Sequence, residues 1–161
     1  MLIPVARVFM QSRRRFWVDQ GFSGEAYTDL PVMITFEATS HQEGHRRGIL
    51  FSQMVGPQAR QVTAMPERER IGFTVRTTEK MFPGISAHFE GGASKCWDED
   101  EWSRGAYAWF KPGQMTTLMP YVATPEGRKH FAGEHTSPWF GFMQGALESG
   151  IRAAREIERA P

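Results

Sequence analysis

Short runs rich in apolar residues with few polar interruptions, at residues 5–10 (VARVFM), 32–36 (VMITF) and 49–54 (ILFSQM), predict three strands. The polar stretch SHQEGHRRG between the last two reads as a hairpin connection, and 21–30 as turn sequence closed by Pro31. Over 66–81 the pattern changes. Ile71, Val75 and Thr78 fall at roughly helical spacing, Pro66 suits a first turn, and Phe82-Pro83-Gly84 stops the helix. Residues 85–90 (ISAHFE) alternate like a half-buried strand, 105–110 (GAYAWF) read as a strand ending at Pro112-Gly113, and 129–132 as a short strand. The longest helical pattern comes last. Phe142, Ala146, Leu147, Ile151, Ala154 and Ile157 are spaced for burial, with Arg152 and Arg155 on the more exposed side. Strands with two interspersed helices predict an α+β (mixed α/β) chain.

Composition narrows the function classes. The 161 residues are one domain's worth of sequence, able to bury roughly 70% of the unfolded surface. A net charge of +1 gives no support to nucleic-acid or anionic-membrane binding, and Arg13-Arg14-Arg15 reads as a solvated strand end. Cys96 is the only cysteine, so no internal disulfide is expected, and its surroundings suggest a small packed side chain. No apolar run approaches the roughly 18 residues of a membrane span, and the N-terminal order of apolar and basic residues is not that of a signal peptide. A cytoplasmic location is the expectation.

Several groups invite chemistry and have plainer readings. His41 and His45 have a metal-ligand spacing, but Ser40 and Gly44 argue for a loop without a third ligand, so no metal is expected. His88 reads as structural. Adjacent acids in Asp98-Glu99-Asp100-Glu101 should diverge from a solvated loop, while the flanking Trp97 and Trp102 are expected to fold inward. Trp109 and Phe110 read as core, whereas the Tyr107 phenol suits a half-polar pocket wall. Gly133, the Thr136 and Ser137 caps, Pro138, Gly141 and Gly145 precede or open the last helix. Its unpaired N–H groups and positive dipole end would attract a phosphate-bearing ligand, and the glycines would clear space for it. The same glycines equally suit close packing of another element.

RKHFAGEHTSPWFGFMQGALESGIRAA resembles the C-terminal flavin-binding segment of the flavin-containing amine oxidase family, of monoamine oxidase and L-amino acid oxidase type. The resemblance runs in order along the whole chain. RRFW with GFSGEAYTDLP is similar to a substrate-domain strand and turn, and GILFSQMVGPQA to the next strand and a helix start. KCWDEDEWSRGAYAWFKPGQ is similar to the passage back to the flavin domain. It implies that 1–104 are the C-terminal part of a substrate-binding domain with part of its sheet. Residues 105–161 would be the last strand and helix of a split FAD-binding domain.

By the same resemblance, Gly133, Glu134, Gly141, Phe142, Met143, Gln144, Gly145 and Ala146 bind FAD, with Glu134 near the ribityl and pyrophosphate. Tyr107 and Phe142 are the aromatic pair beside the substrate, and Phe36 is a pocket wall. Phe142 departs from the Tyr common in monoamine oxidases. Ala106 stands where those enzymes link the flavin to a Cys, implying non-covalent FAD. The acid of FAGEH and the TDLP turn lean toward the amino acid oxidases. The implied reaction removes a hydride equivalent from the carbon beside an amine. The imine hydrolyses to an aldehyde or keto acid and ammonia, and oxygen is reduced to peroxide.

No GxGxxG occurs in the 161 residues, and the family's flavin-adjacent lysine and carboxylate-binding arginine are expected upstream. The resemblance thus implies the last third of a longer enzyme, opening inside a substrate-domain strand at Met1-Leu2-Ile3-Pro4. Activity is expected to need a missing N-terminal part, supplied as a second polypeptide or lost to a mis-called start. The alternative is a truncated, non-catalytic remnant acting as a binding domain. Without that part, Phe142, Leu147, Ile151 and Ile157 are expected to lie exposed and to invite self-association into a homo-oligomer.

Overall fold

The computed structural model describes residues 2–42, 44 and 46–160. Pro4–Gly105 forms one compact unit, and Met1–Ile3 with Ala106–Pro161 forms the other. The chain is mixed α/β with one antiparallel sheet.

The first unit holds that sheet, built from β1 (Val5–Ser12), β2 (Ala26–Tyr27), β3 (Ile34–Glu37), β4 (Gly48–Val55) and β5 (Phe89–Cys96) in the order β2-β3-β4-β1-β5. Every neighbouring pair is antiparallel, and β1 lies between β4 and β5 with Val8 opposite Ser52 and Ser94. Residues 5–10 form a strand as expected, and its geometry puts Ala6, Val8 and Met10 on one face, where they are fully buried. Two helices supply what they bury against, α2 (Gly56–Thr63) and α3 (Glu67–Thr78). Ala6, Val8 and Met54 pack with Ala59, Val62 and Cys96. Met10 and Leu50 pack with Val75, Phe82, Ile85, Phe16 and Trp17. Each large side chain so buried contributes about 1.5–3 kcal/mol. Phe16 and Trp17 sit on α1 (Phe16–Asp19) directly after the arginines, which therefore mark a strand end that turns inward. A Cβ on Gly48 would come within 2.8 Å of the Trp17 ring, so only glycine lets the indole lie on β4.

Of residues 85–90 only Phe89 and Glu90 lie in a strand. Ile85–His88 form a helical turn, α4, opened by Gly84 at φ 109°. The Glu79 carboxylate accepts the Gly84 and Ser86 amides, at 2.8 Å each, and so caps the turn. Extended structure starts at Phe89 and runs through Gly91-Gly92 within β5. His88, on α4 rather than a strand, stacks on Phe16 with ring centroids 5.1 Å apart.

The second unit contains α5 (Gln114–Thr117), a 3-10 turn (Glu134–Thr136) and α6 (Met143–Glu158). Residues 105–110 make no regular strand. Their pairing is one isolated bridge, Leu2 with Ala108, supported by Ile3 N–H donating to Tyr107 O and Ala106 N–H to Ile3 O, both 2.9 Å. Lys129 likewise has only a bridge to Glu126.

Thr136 and Ser137 do not cap α6. The N-cap is Phe142, and the two hydroxyls are drawn into the turn below, Thr136 to Gly133 O (2.8 Å) and Ser137 to Glu148. The buried face of α6 is Gly145, Ser149 and Ala153, while Leu147, Ile151 and Ile157 lie exposed. Polar bonds hold that inner face. Gly133 N–H donates to Ser149 Oγ at 2.9 Å, and Arg152, expected outside, donates to Phe131 O at 2.8 Å and Thr136 Oγ1 at 3.1 Å.

Trp102 is 89% exposed, contrary to expectation. Asp100 accepts the Ser103 amide (3.0 Å), which tightens that turn and leaves Trp102 at its tip. Trp109 is also exposed rather than core, because extended backbone that buries Ala108 turns the next side chain outward.

Candidate functional site

The second unit gathers Tyr107, Glu134, Gly141 and Phe142. Tyr107 is half-buried, and its carbonyl is held by the Ile3 amide. Gly133, at φ 139°, begins the 3-10 turn that carries Glu134. Glu134 Oε1 accepts the Ala108 amide at 2.8 Å, and Oε2 accepts the Gly141 amide. Gly141 takes φ 81°, which L side chains avoid, and a Cβ there would lie 3.7 Å from Tyr107 Cδ2. The turn into α6 therefore runs against the edge of the Tyr107 ring.

The start of α6 is open. Phe142 provides no side-chain cap, no acid stands in the first turn, and the first helical bonds run from Gly145 and Ala146 N–H to Phe142 O. The amides of Met143 and Gln144 are thus left as donors at the positive end of a 16-residue helix. Phe142 and Met143 are 64% and 84% exposed, and Gln144 and Ala146 are exposed too. Such a donor set with flanking apolar surface fits the electron-rich edge of a flavin. Gly145 faces the other way: a Cβ on it would lie 2.3 Å from the Trp139 carbonyl oxygen, so this glycine serves packing. Gly133, Glu134 and Gly145 therefore shape the helix start from beneath, while Phe142, Met143, Gln144 and Ala146 form its outer surface.

Phe36 belongs to the first unit. It stacks on Phe51 (centroids 5.1 Å), Phe51 meets Phe9 at 5.3 Å, and Tyr27 meets Phe36 edge-on at 6.5 Å. An aromatic row thus crosses β1, β4, β3 and β2 on the sheet face opposite α2 and α3, with the Arg7 guanidinium 5.6 Å above Phe51. Only Phe36 of this row was singled out from the sequence. The period-2 pattern already put Phe9 and Phe51 on that face, but their neighbourhood depends on register.

The other candidates resolve individually. His41 is exposed on a turn, and His45 lies outside the described residues. Among the described residues no group of three His, Cys, Asp or Glu could hold a metal ion. Asp98 accepts from Thr63 Oγ1 (3.2 Å), Glu99 pairs with Arg70, and Lys95 at 2.8 Å holds Asp100 well below the usual carboxylate range. The acids diverge as expected. Cys96 is buried, packs with Ala6, Val8 and Met54 and accepts from Arg70 Nη1 at 3.2 Å, and burial pushes its thiol pKa up. Trp97 is half-buried, with Lys95 Nζ 4.8 Å from its ring.

A family model described as "Flavin containing amine oxidoreductase" matches residues 2–158. The chain is 36% identical to a Bacillus subtilis (strain 168) protein named "Putative L-amino-acid oxidase YobN", over 99% of this chain and 34% of that protein. It is 30% identical to the human flavin-containing amine oxidase B, over 97% of this chain and 31% of that one. Among solved structures, cyclohexylamine oxidase from Brevibacterium oxydans IH-35A superposes with a TM-score of 0.83 at 25% identity, covering 96% of this chain and 35% of that chain. Wild-type putrescine oxidase bound to putrescine gives the same TM-score, identity and coverage. The chain spans about a third of the length of the curated relatives it matches. No helix among the described residues is long and apolar enough to cross a membrane.

Proposed function

The chain belongs to the flavin containing amine oxidoreductase family, and from that premise we propose that it forms the C-terminal part of an FAD-dependent amine or L-amino acid oxidase. The observation that carries the reading is the uncapped, exposed start of α6 running beside Tyr107. When bound, FAD supplies the acceptor for a hydride equivalent, which dioxygen then removes as hydrogen peroxide.

The chain's own residues orient and shield. The Met143 and Gln144 amides, at the open start of α6, would hold the electron-rich edge of the flavin. Tyr107 and Phe142 flank the amine and keep water from the transfer path. The amine becomes an imine, and water converts that to an aldehyde or keto acid and ammonia. Ala106 has no thiol to link the cofactor, so FAD is held non-covalently. The adenosine end needs a strand–turn–helix with GxGxxG, which these 161 residues do not contain. Residues 1–104 are assigned to substrate binding and 105–161 to FAD binding, in a cytoplasmic enzyme that leans to L-amino acids.

The test is co-expression of the chain with the complementary two-thirds of the Bacillus subtilis relative. A yellow complex that releases peroxide with L-amino acids or primary amines is expected, and a colourless, inactive preparation from the chain alone. A stable complex without flavin would refute the reading and leave the chain a binding module. Stoichiometric FAD on the chain alone would refute the need for another part.

A further inference from the structure

We propose that the cleft between α3 and the outer strand β5 binds a carboxylate of fatty-acid type, with the apolar chain on its floor and the charge on Arg68 or Arg76. The site lies wholly within the first unit and is independent of the oxidase reading.

The helical period of α3 builds the site. Ile71 and Val75 face the sheet, and with Phe89 of β5 they form an apolar floor. The cleft above that floor holds about 440 Å³, within the range of small-molecule sites. Its wall on the sheet side is bare backbone at Gly92, where a Cβ would lie 2.5 Å from Phe9 O and 3.1 Å from Ile71 Cγ2. β5 is paired only with β1, so no further strand among the described residues covers this side. On the helix side stands Gly72, between Arg68 and Arg76 at steps of four residues. A Cβ on Gly72 would meet only Arg76 Nη1, at 3.2 Å, so the glycine lets that guanidinium lie close to the helix beside the cleft.

The charge at the rim is uncompensated. Both arginines are exposed, and neither forms an ion pair among the described residues. Their neighbours four residues away on the helix are Ala64, Gly72 and Lys80, none of them acidic. The nearby carboxylates are engaged elsewhere. Glu67 accepts the Ser94 amide at 3.0 Å and the Ser94 hydroxyl at 3.1 Å, and Glu79 accepts the Gly84 and Ser86 amides. An ammonium or a second basic surface is therefore repelled here, whereas a carboxylate gains a charge-assisted hydrogen bond from either guanidinium. Two turns and a little more of α3 separate the arginines, about 12 Å, and the apolar floor lies along that span. An extended alkyl chain fits this shape, with its carboxylate at one end.

The test is a chemical-shift titration of the full chain with sodium decanoate. The Gly72, Gly91 and Gly92 amides and the Ile71 and Val75 methyls should move together along one saturable curve. Gly72→Leu, which fills the cleft, should weaken binding at least tenfold. The exposed double variant Arg68→Gln/Arg76→Gln, which leaves the floor intact, should do the same. Decanol, with the same chain and no charge, should bind wild type at least tenfold more weakly than decanoate. Equal binding of decanol, unchanged affinity in both variants, or shifts confined to Leu147 and Ile151 of α6 would each overturn the proposal. Shifts at the cleft that grow with protein concentration and need no decanoate would assign it to a second copy of the chain, and would overturn the proposal as well.

Discussion

Two glycines of the same helix should answer alanine substitution with opposite signs. In an open helix interior, glycine to alanine stabilises by about 0.5–1 kcal/mol, because the unfolded chain loses freedom and the helix loses none. Gly150 is such a position, since an added Cβ meets nothing within 4 Å. At Gly145 the same Cβ would sit 2.3 Å from Trp139 O and 2.9 Å from Trp139 C. Both atoms are backbone, so no side chain can swing aside. Restoring even 3.0 Å requires a retreat of about 0.7 Å by α6 or by the Trp139 segment. That retreat would strain the Ser137–Glu148 and Trp139–Ser137 hydrogen bonds, which lie in the same contact. Overpacking of this kind costs about 1–3 kcal/mol, which outweighs the helix-propensity gain. The expected result in urea denaturation is Gly150→Ala more stable than wild type by about 0.5–1 kcal/mol, and Gly145→Ala less stable by about 1–2 kcal/mol. Equal or greater stability of Gly145→Ala would refute the packing argument. The larger Gly145→Val is therefore a test of folding first, and any loss of flavin in it would follow from that.

Arg70 donates to Thr63 O at 2.6 Å and Met65 O at 2.7 Å and pairs with Glu99, so Arg70→Met should strand two carbonyls and cost about 2–4 kcal/mol. A change below about 0.5 kcal/mol in the denaturation midpoint analysis would count against that role. Hydrogen bonds from Ser86 and Gly84 hold the Glu79 carboxyl below its usual range. A depressed folded value means that its stabilisation is complete above the unfolded pKa, about 4.3, and fades as pH falls through the lower folded one. Glu79→Gln should therefore cost stability at neutral pH and flatten the acid limb of a pH titration below about 4. An unchanged acid limb would exclude Glu79 as a contributor.

Much of the first unit was legible because its strands and α3 bury one face in a regular period. β1 and β4 show it plainly, with Ala6, Val8, Met10, Leu50 and Met54 all inward. β5 was not legible. It pairs on one side only, and its Gly91-Gly92 pair carries no apolar signal to alternate. The last helix was found but its facing was not, because its inner face is organised by hydrogen bonds to Ser149 and Arg152 rather than by burial of Leu147 and Ile151. The place of Glu134 was equally hidden. Its amide donors lie 26 and 7 residues away, at separations that no local pattern encodes.

The bond from the Ile3 amide to Tyr107 O has a consequence for synthesis. The two residues leave the ribosome roughly 100 residues apart, which at about 5–20 residues per second is a delay of about 5–20 seconds. Ile3 is thus made first and paired late, and closing so long a flexible loop costs about 4 kcal/mol before any contact repays it. The unit that carries the proposed flavin-side surface is completed only after the first unit has been made, and it needs residues made before that unit. Replacing Ile3 by proline, which has no amide to donate, therefore reaches the scaffold under Tyr107, although nothing in the linear order of the chain would suggest it.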